Sequence, residues 1–340
     1  MLWTTHEGER STSEFPVMVA DAEEVALTDI VEAKIPYRIL SLDGGGAKGF
    51  YTLGVLAEIE GLIGCRLCEK FDLVFGTSTG AIIASMIALG MTVDEIHTNY
   101  KTYVPDIMRL KKPEHKSAKL AELAEKIFGD AKFDDVKTGV GIVTTKWVIE
   151  RPMIFKGSVE QAHGRKGTFK PGFGVRIGDA VQASCSAFPF FSPKTVTAAD
   201  GDEVTLVDGG YCANNPTLYA IADASRALGL THQDLRVVSV GVGVYPSPKQ
   251  SMFSKMYWAN KYLLSVQLLQ KTLEINTQSM DQLRAILFKD VPTVRISDTF
   301  EQPEMATDLF EHDLKKLNIL RQRGRESFAK SEALLKEYLL

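Results

Sequence analysis

The run Phe71-Asp72-Leu73-Val74-Phe75-Gly76-Thr77-Ser78-Thr79-Gly80, continued by Ala81-Ile82-Ile83-Ala84-Ser85-Met86-Ile87-Ala88-Leu89, decides how this chain folds. A short segment rich in Val, Leu and Phe enters it, Gly-x-Ser-x-Gly occupies its centre, and an apolar segment of helical length leaves it. The pattern reads as strand, sharp turn, helix. Such a turn forces a strained backbone at the serine and leaves no room for side chains at Gly76 and Gly80. The hydroxyl of Ser78 is then held out at the end of a sheet. It can serve as a nucleophile if a base lies within reach and backbone N–H groups face the oxyanion that develops.

Upstream, Tyr37 to Leu42 reads as a first strand running into Asp43-Gly44-Gly45-Gly46-Ala47-Lys48-Gly49, and Phe50 to Ile63 reads as a helix with apolar residues at Leu53, Leu56, Ile59 and Leu62. Gly44-x-Gly46-x-x-Gly49 has the spacing of a dinucleotide loop, but the next strand ends in Thr77-Ser78 and lacks the carboxylate that would hold a ribose. A Gly-x-x-x-x-Gly-Lys-Ser/Thr phosphate loop also fails, because Gly49 follows Lys48. Three successive glycines before a helix offer a row of N–H groups that suit an oxyanion as well as a phosphate.

Downstream, Thr92 and Glu95 form a capping box opening a helix to about Met108, and Ser117 to Phe128 is a helix closed by Gly129. Arg109, Lys111, Lys112, Lys116 and Lys119 make the densest basic run, read as a solvated connection or an anion site. Val140 to Val148 and Met153 to Phe155 are expected strands, and Ile177 to Ser186 an expected helix ended by Phe188-Pro189-Phe190-Phe191. The strand Thr205 to Val207 delivers Asp208-Gly209-Gly210, a carboxylate at a strand end followed by a tight turn. Asn215-Pro216 opens a helix closed by Gly229, and Leu235 to Val242 is apolar enough to be buried on both faces. Helices near 255–288 and 308–338, with a strand at Thr293 to Ser297, complete the chain.

Strands separated by helices, with little alternation in the strands, predict a three-layer α/β/α fold on a mostly parallel sheet. The expected organisation is an extension over 1–34, a core over 35–245 and a mostly helical part over 246–340 packed on it. Strand ends carrying the glycine loop, Ser78 and Asp208 are expected on one edge, where open α/β folds place their sites.

The chain has 340 residues, 45% hydrophobic and 24% charged, with a net charge of −4, so nothing global points to nucleic acid. The first residues lack the basic start and apolar stretch of a secretory signal, and no apolar run approaches the length of a membrane span, so a cytoplasmic protein is expected. Cys65-x-x-Cys68 has no second pair to complete a zinc site, and no His-Glu-x-x-His spacing occurs, so no metal is expected. Membrane contact has two candidate segments, Phe188 to Phe191 and Met252 to Trp258.

A serine nucleophile needs a proton acceptor. His232, His312 and Asp208 acting alone are the candidates in the right chain order. The blocks Asp43-Gly44-Gly45-Gly46-Ala47-Lys48-Gly49, Gly76-Thr77-Ser78-Thr79-Gly80 and Asp208-Gly209-Gly210 with Asn214-Asn215-Pro216 together resemble the signature of patatin-like phospholipases, over roughly 37–245. The resemblance implies Ser78 as nucleophile, Asp208 as base, the N–H groups of Gly44, Gly45 and Gly46 as oxyanion hole, and calcium-independent hydrolysis of membrane glycerophospholipid esters. Lys48 stands where the family usually has Arg, which loses the planar fork. The layout is also similar to bacterial phospholipase effectors of cyclic-oligonucleotide antiphage systems. That likeness implies a cyclic dinucleotide or trinucleotide activator, self-association on activation, and action at the inner face of the membrane, with the basic run or Arg321, Arg323 and Arg325 as nucleotide contacts. A soluble carboxylesterase or thioesterase with the same dyad, or a nucleotide-binding protein using the glycine loop, are the alternatives.

Overall fold

In a computed structural model, residues 35–164, 167, 169–246 and 257–340 are described, without the side chains of 257–263. The extension over 1–34 and the candidate contact Met252 to Trp258 therefore lie outside the described residues and side chains. Pro36–Leu340 is one unit.

Strands that lack alternation need cover on both faces, and the central strands have it. β1 (Tyr37–Leu42) and β2 (Leu73–Thr77) pair in parallel, with Ile39 opposite Leu73 and Leu42 opposite Gly76. Their side chains divide between two cores: Leu40, Leu42 and Val74 join one, while Ile39, Leu73 and Phe75 join the other. The first core is covered by α1 (Gly49–Ile63), α3 (Thr79–Ala88), α4 (Val93–Arg109), α5 (Pro113–Phe128) and α6 (Ile177–Ser184), with the short α2 (Leu67–Lys70) linking α1 to β2. The second core is covered by α8 (Thr217–Ala222), which follows the single turn α7 (Gly210–Ala213).

The remaining strands are β3 (Gly139–Lys146), β4 (Arg151–Lys156), β5 (Lys194–Thr197), β6 (Glu203–Asp208), β7 (Leu235–Val240) and β8 (Thr293–Ile296). The order is β5-β6-β3-β2-β1-β7-β8, with β4 beside β3. From β3 through β2, β1 and β7 to β8 every pairing is parallel, whereas β4, β6 and β5 pair antiparallel. The expected three-layer α/β/α fold on a mostly parallel sheet is thus found. β8 adds the last segment of chain to that sheet, and α9 (Tyr257–Leu287) and α10 (Leu314–Leu339) flank it.

Local expectations hold in most places. The Thr92–Glu95 capping box is formed, and Gly129 ends α5 with φ 49°. Several boundaries move by a few residues, three of them for a plain reason. β3 stops at Lys146, because Trp147 to Glu150 form a turn in which Glu150 takes φ 51°. α5 begins at Pro113, where proline costs no helical hydrogen bond. α10 begins at Leu314, because the stretch before it folds onto the glycine loop: the N–H of Ala47 donates to the Leu309 carbonyl at 3.0 Å. α1 and α10 cross with backbones in near contact. A Cβ at Gly54 would lie 2.0 Å from the Arg321 carbonyl oxygen, and one at Gly324 would lie 2.0 Å from that of Tyr51.

Candidate active site

Ser78 takes φ 53° and ψ −118°, a conformation that non-glycine residues avoid and that marks a strained nucleophile turn. Two features over-determine it. Its N–H donates to Ser184 Oγ at 2.9 Å, and that hydroxyl in turn donates to the Val143 carbonyl at 2.6 Å. The flanking glycines admit close backbone: a Cβ at Gly76 would lie 2.2 Å from the Gly80 oxygen, and one at Gly80 would lie 2.2 Å from the Leu42 oxygen.

Strand register brings the carboxylate to the serine. β3 residues 141–146 pair with β4 along one edge, so β2 and β6 must share the other. On that edge β2 runs parallel and ends with Thr77 opposite Val143, while β6 runs antiparallel and ends with Asp208 opposite Thr144. Two strands therefore meet head-on, and the residues at their tips, Ser78 and Asp208, come together. Gathering of the strand ends was expected, but Asp208 arrives from the opposite direction. Ser78 Oγ donates to Asp208 Oδ2 at 2.7 Å, and the Gly210 N–H donates to Oδ1 at 2.7 Å. Asp208 is only 2% exposed, and burial pushes its pKa up to about 6 against the opposing pull of those two hydrogen bonds. His232 is hydrogen-bonded to Asp290 at 2.7 Å and His312 to the Phe310 carbonyl at 3.2 Å. Among the described residues, no histidine bonds to Ser78 or Asp208.

The glycine loop lies beside this pair, with one correction. The N–H of Gly44 is taken by the Asn214 carbonyl at 2.9 Å, because Asn214 also ties the loop through its side chain, donating to the Gly44 carbonyl at 3.2 Å. Gly44 is thus a fixed point of the loop, and the free donors are the N–H groups of Gly45 and Gly46, which make no hydrogen bond among the described residues. The Gly46 carbonyl accepts from both Thr79 Oγ1 and Tyr100 Oη at 2.8 Å, which turns its peptide. Asp43, at the loop's start, is held by Arg295 of β8, with Nη1 to Oδ1 at 2.9 Å.

Lys48 is buried, and its Nζ reaches Glu274 of α9 at 3.2 Å. Two cavities flank the loop. One, of about 590 Å³, has Ser78, Asp208, Gly45 and Gly46 in its wall, with Ile82, Val104, Leu120, Leu269, Leu273 and Phe310 making the rest apolar. The other, of about 400 Å³, is more polar, with Lys48, Asn214, Gln270, Glu274 and Thr277. Lys48 lines the second and not the first.

Other candidates fare differently. Phe190 and Phe191 are buried, so of the Phe188 to Phe191 segment only the first two residues, Phe188 and Pro189, face solvent appreciably. Lys116 does not belong to a solvated connection: it is 1% exposed, its Nζ makes no hydrogen bond and lies 3.7 Å from the Phe310 ring centroid, and burial lowers its pKa to about 8. Arg321, Arg323 and Arg325 each already hold a carboxylate, of Asp94, Glu326 and Glu58. Ser184, Tyr100 and Arg295 were not singled out from the sequence. The serine closes a short helix and has no local pattern to mark it, and the other two act across long separations. Among the described residues no His, Cys, Asp or Glu cluster could hold a metal ion, and no helix is long and apolar enough to cross a membrane.

The sequence profile described as "Patatin-like phospholipase" matches residues 40–221. The chain is 65% identical to a "cUMP-AMP-activated phospholipase" of Escherichia coli, over 89% of this chain and 94% of the relative. It is 29% identical to a "cGAMP-activated phospholipase" of E. coli strain TW11681, over 65% of this chain and 66% of the relative. A "cGAMP-activated phospholipase" of Vibrio cholerae serotype O1 is 27% identical, over 87% and 93%. These likenesses join a strained serine, a carboxylate bonded to it and a glycine loop with two open donors, and the chain belongs to the patatin-like phospholipase family.

Proposed function

We propose that the protein hydrolyses acyl esters of membrane glycerophospholipids through a Ser78–Asp208 dyad, and that a cyclic oligonucleotide switches it on in bacterial antiphage defence. The observation that carries the catalytic reading is the 2.7 Å hydrogen bond from Ser78 to a buried carboxylate, in the wall of a cavity lined mostly by apolar side chains, as an acyl substrate requires. Asp208 accepts the proton as Ser78 Oγ adds to the ester carbonyl. The oxyanion then faces the N–H groups of Gly45 and Gly46. Collapse breaks the ester C–O bond, and the leaving alkoxide takes the proton from Asp208. Water, deprotonated by the same carboxylate, attacks the acyl-serine and releases the fatty acid. A carboxyl with a pKa of about 6 is ionised at neutral pH yet more basic than an ordinary aspartate.

Regulation rests on the relatives, which are named for activation by cUMP-AMP and cGAMP. A phospholipase able to attack its own cell's membrane has to be scarce in its active state until a ligand favours that state. Moving a population from 1:99 to 99:1 takes about 5.5 kcal/mol of differential binding. Self-association is the proposed form of the active state. The test is fatty-acid release from phospholipid vesicles, with sedimentation in parallel, with and without cUMP-AMP and cGAMP. Hydrolysis and assembly are expected to rise together with one nucleotide, and Ser78→Ala should lower turnover by about 10⁴-fold or more while the protein still assembles. A monomer fully active without nucleotide would overturn the regulatory reading. A Ser78→Ala protein with unchanged turnover would overturn the dyad.

A further inference from the structure

Beyond Val143, β3 leaves the parallel sheet and pairs only with the antiparallel strands β4 and β6. Thr144 lies opposite Asp208, and the two residues after it, to Lys146, carry the strand roughly 7 Å past the level of that carboxylate. The turn at its tip is Trp147-Val148-Ile149-Glu150, where turns ordinarily place Gly, Asn or Asp. Trp147, Val148 and Ile149 are 43%, 79% and 54% exposed. They do not cap a core. Instead, Trp147 packs on Phe188, itself exposed, with ring centroids 5.1 Å apart. Phe188 adjoins Ala187, which lines the cavity containing Ser78, and its carbonyl accepts from Tyr211 Oη. The apolar tip is thus joined, through Phe188 and Ala187, to the wall of the cavity that holds Ser78.

The charges around the tip select among possible partners. Lys146 and Arg151 face each other in register at its base, and neither makes an ion pair among the described residues; Glu150 lies in the turn itself, and exposed Glu203 lies on β6, two residues before the Thr205 carbonyl that accepts from the Trp147 N–H. Apolar and aromatic side chains over a pair of long cationic ones match a bilayer interface: the rings and aliphatic groups enter the headgroup region while the cations meet lipid phosphates. A soluble partner would need a complementary groove, and nothing about a four-residue protrusion calls for one.

We propose that the β3–β4 tip, with Phe188, is the surface by which the protein docks on an anionic lipid bilayer, inserting Trp147, Val148 and Ile149. The proposal rests on the phospholipase reading and specifies how that site meets its substrate.

The test is flotation of the full chain with vesicles of phosphatidylethanolamine and phosphatidylglycerol. The triple variant Trp147→Ser, Val148→Ser, Ile149→Ser is expected to lower the vesicle-bound fraction about tenfold or more. Its hydrolysis of a monodisperse ester such as p-nitrophenyl butyrate should stay within about twofold of wild type, because no altered residue touches Ser78, Asp208 or the glycine loop. Flotation equal to wild type overturns the proposal. If the triple variant loses ester turnover as well, Val148→Lys and Val148→Glu decide. Glu should weaken flotation more than Lys, and equal effects overturn the docking. A change of sedimentation in lipid-free buffer with flotation intact would assign the tip to contact between two copies and also overturn it. Failure of the underlying reading has a separate signature. Wild type would then float normally yet release no fatty acid from detergent-dispersed phospholipid, with cUMP-AMP or cGAMP present.

Discussion

Asp43 and Asp208 begin as equals. Asp43 directly follows β1 and Asp208 is the last residue of β6, each precedes Gly-Gly, and they are 1% and 2% exposed. Their partners separate them. Asp43 receives a guanidinium fork from Arg295, so its charge is neutralised where it lies. Asp208 receives a hydroxyl and one backbone N–H, and no cation bonds to it among the described residues. Burial pushes both carboxyls up; at Asp43 the Arg295 guanidinium pulls back against it with charge and hydrogen bonds, whereas at Asp208 only the Ser78 hydroxyl and the Gly210 N–H do. The same tripeptide therefore anchors a loop in one place and offers a base in the other.

Exchanging the two aspartates for asparagine gives the largest contrast. Asp208→Asn keeps the shape but cannot take the serine proton, so ester turnover should fall about 10³-fold or more with the fold retained. Asp43→Asn leaves Arg295 buried without its charge and should cost about 3–5 kcal/mol in urea unfolding. The comparison breaks if Asp43→Asn unfolds like wild type, or if Asp208→Asn keeps its turnover.

pH sharpens it. Turnover of a soluble ester should rise with pH through a midpoint at about 6 and level above it, as Asp208 loses its proton. Stability follows with the opposite sign. The folded pKa of Asp208 lies above the unfolded value of 3.8, so between those two pH values the native state binds more protons, and this group's contribution to stability falls as pH rises. Above that window the folded state carries the full cost, so Asp208→Asn should be more stable than wild type at pH 8, by up to about 3 kcal/mol. A pH-stability curve that Asp208→Asn leaves unchanged would show that burial is not what sets this carboxyl.

The smallest effect concerns Lys48. Its ammonium bonds Glu274 in the polar cavity and does not face Ser78, so Lys48→Arg should change turnover by less than about threefold, read by steady-state kinetics on the soluble ester.

The proposed dyad was legible because each part is a local device. A strand, a strained serine and a helix are consecutive in the chain, and Asp208-Gly209-Gly210 is again strand and turn. What escaped depends on contacts between distant residues. Arg295 lies 252 positions from Asp43, and no local pattern pairs them. The burial of Lys116 is decided by Phe310, almost two hundred residues later. Gly44 read as a donor because three glycines in a row look alike, and only the fold reveals that Asn214 occupies the first. β5 was missed for a different reason: Lys194–Thr197 is short, largely polar and at the sheet's edge, so it carries no apolar signal.

The crossing of α1 and α10 at Gly54 and Gly324 reaches beyond packing. Neither position can acquire a side chain unless the two helices separate, and α1 issues directly from the glycine loop that faces Ser78. The end of the chain is therefore not free to drift while the motifs stay fixed. A lineage that exchanges α10 must refit the helix that leaves the glycine loop, so new sequence at α10 can be acquired only through changes that the loop also tolerates.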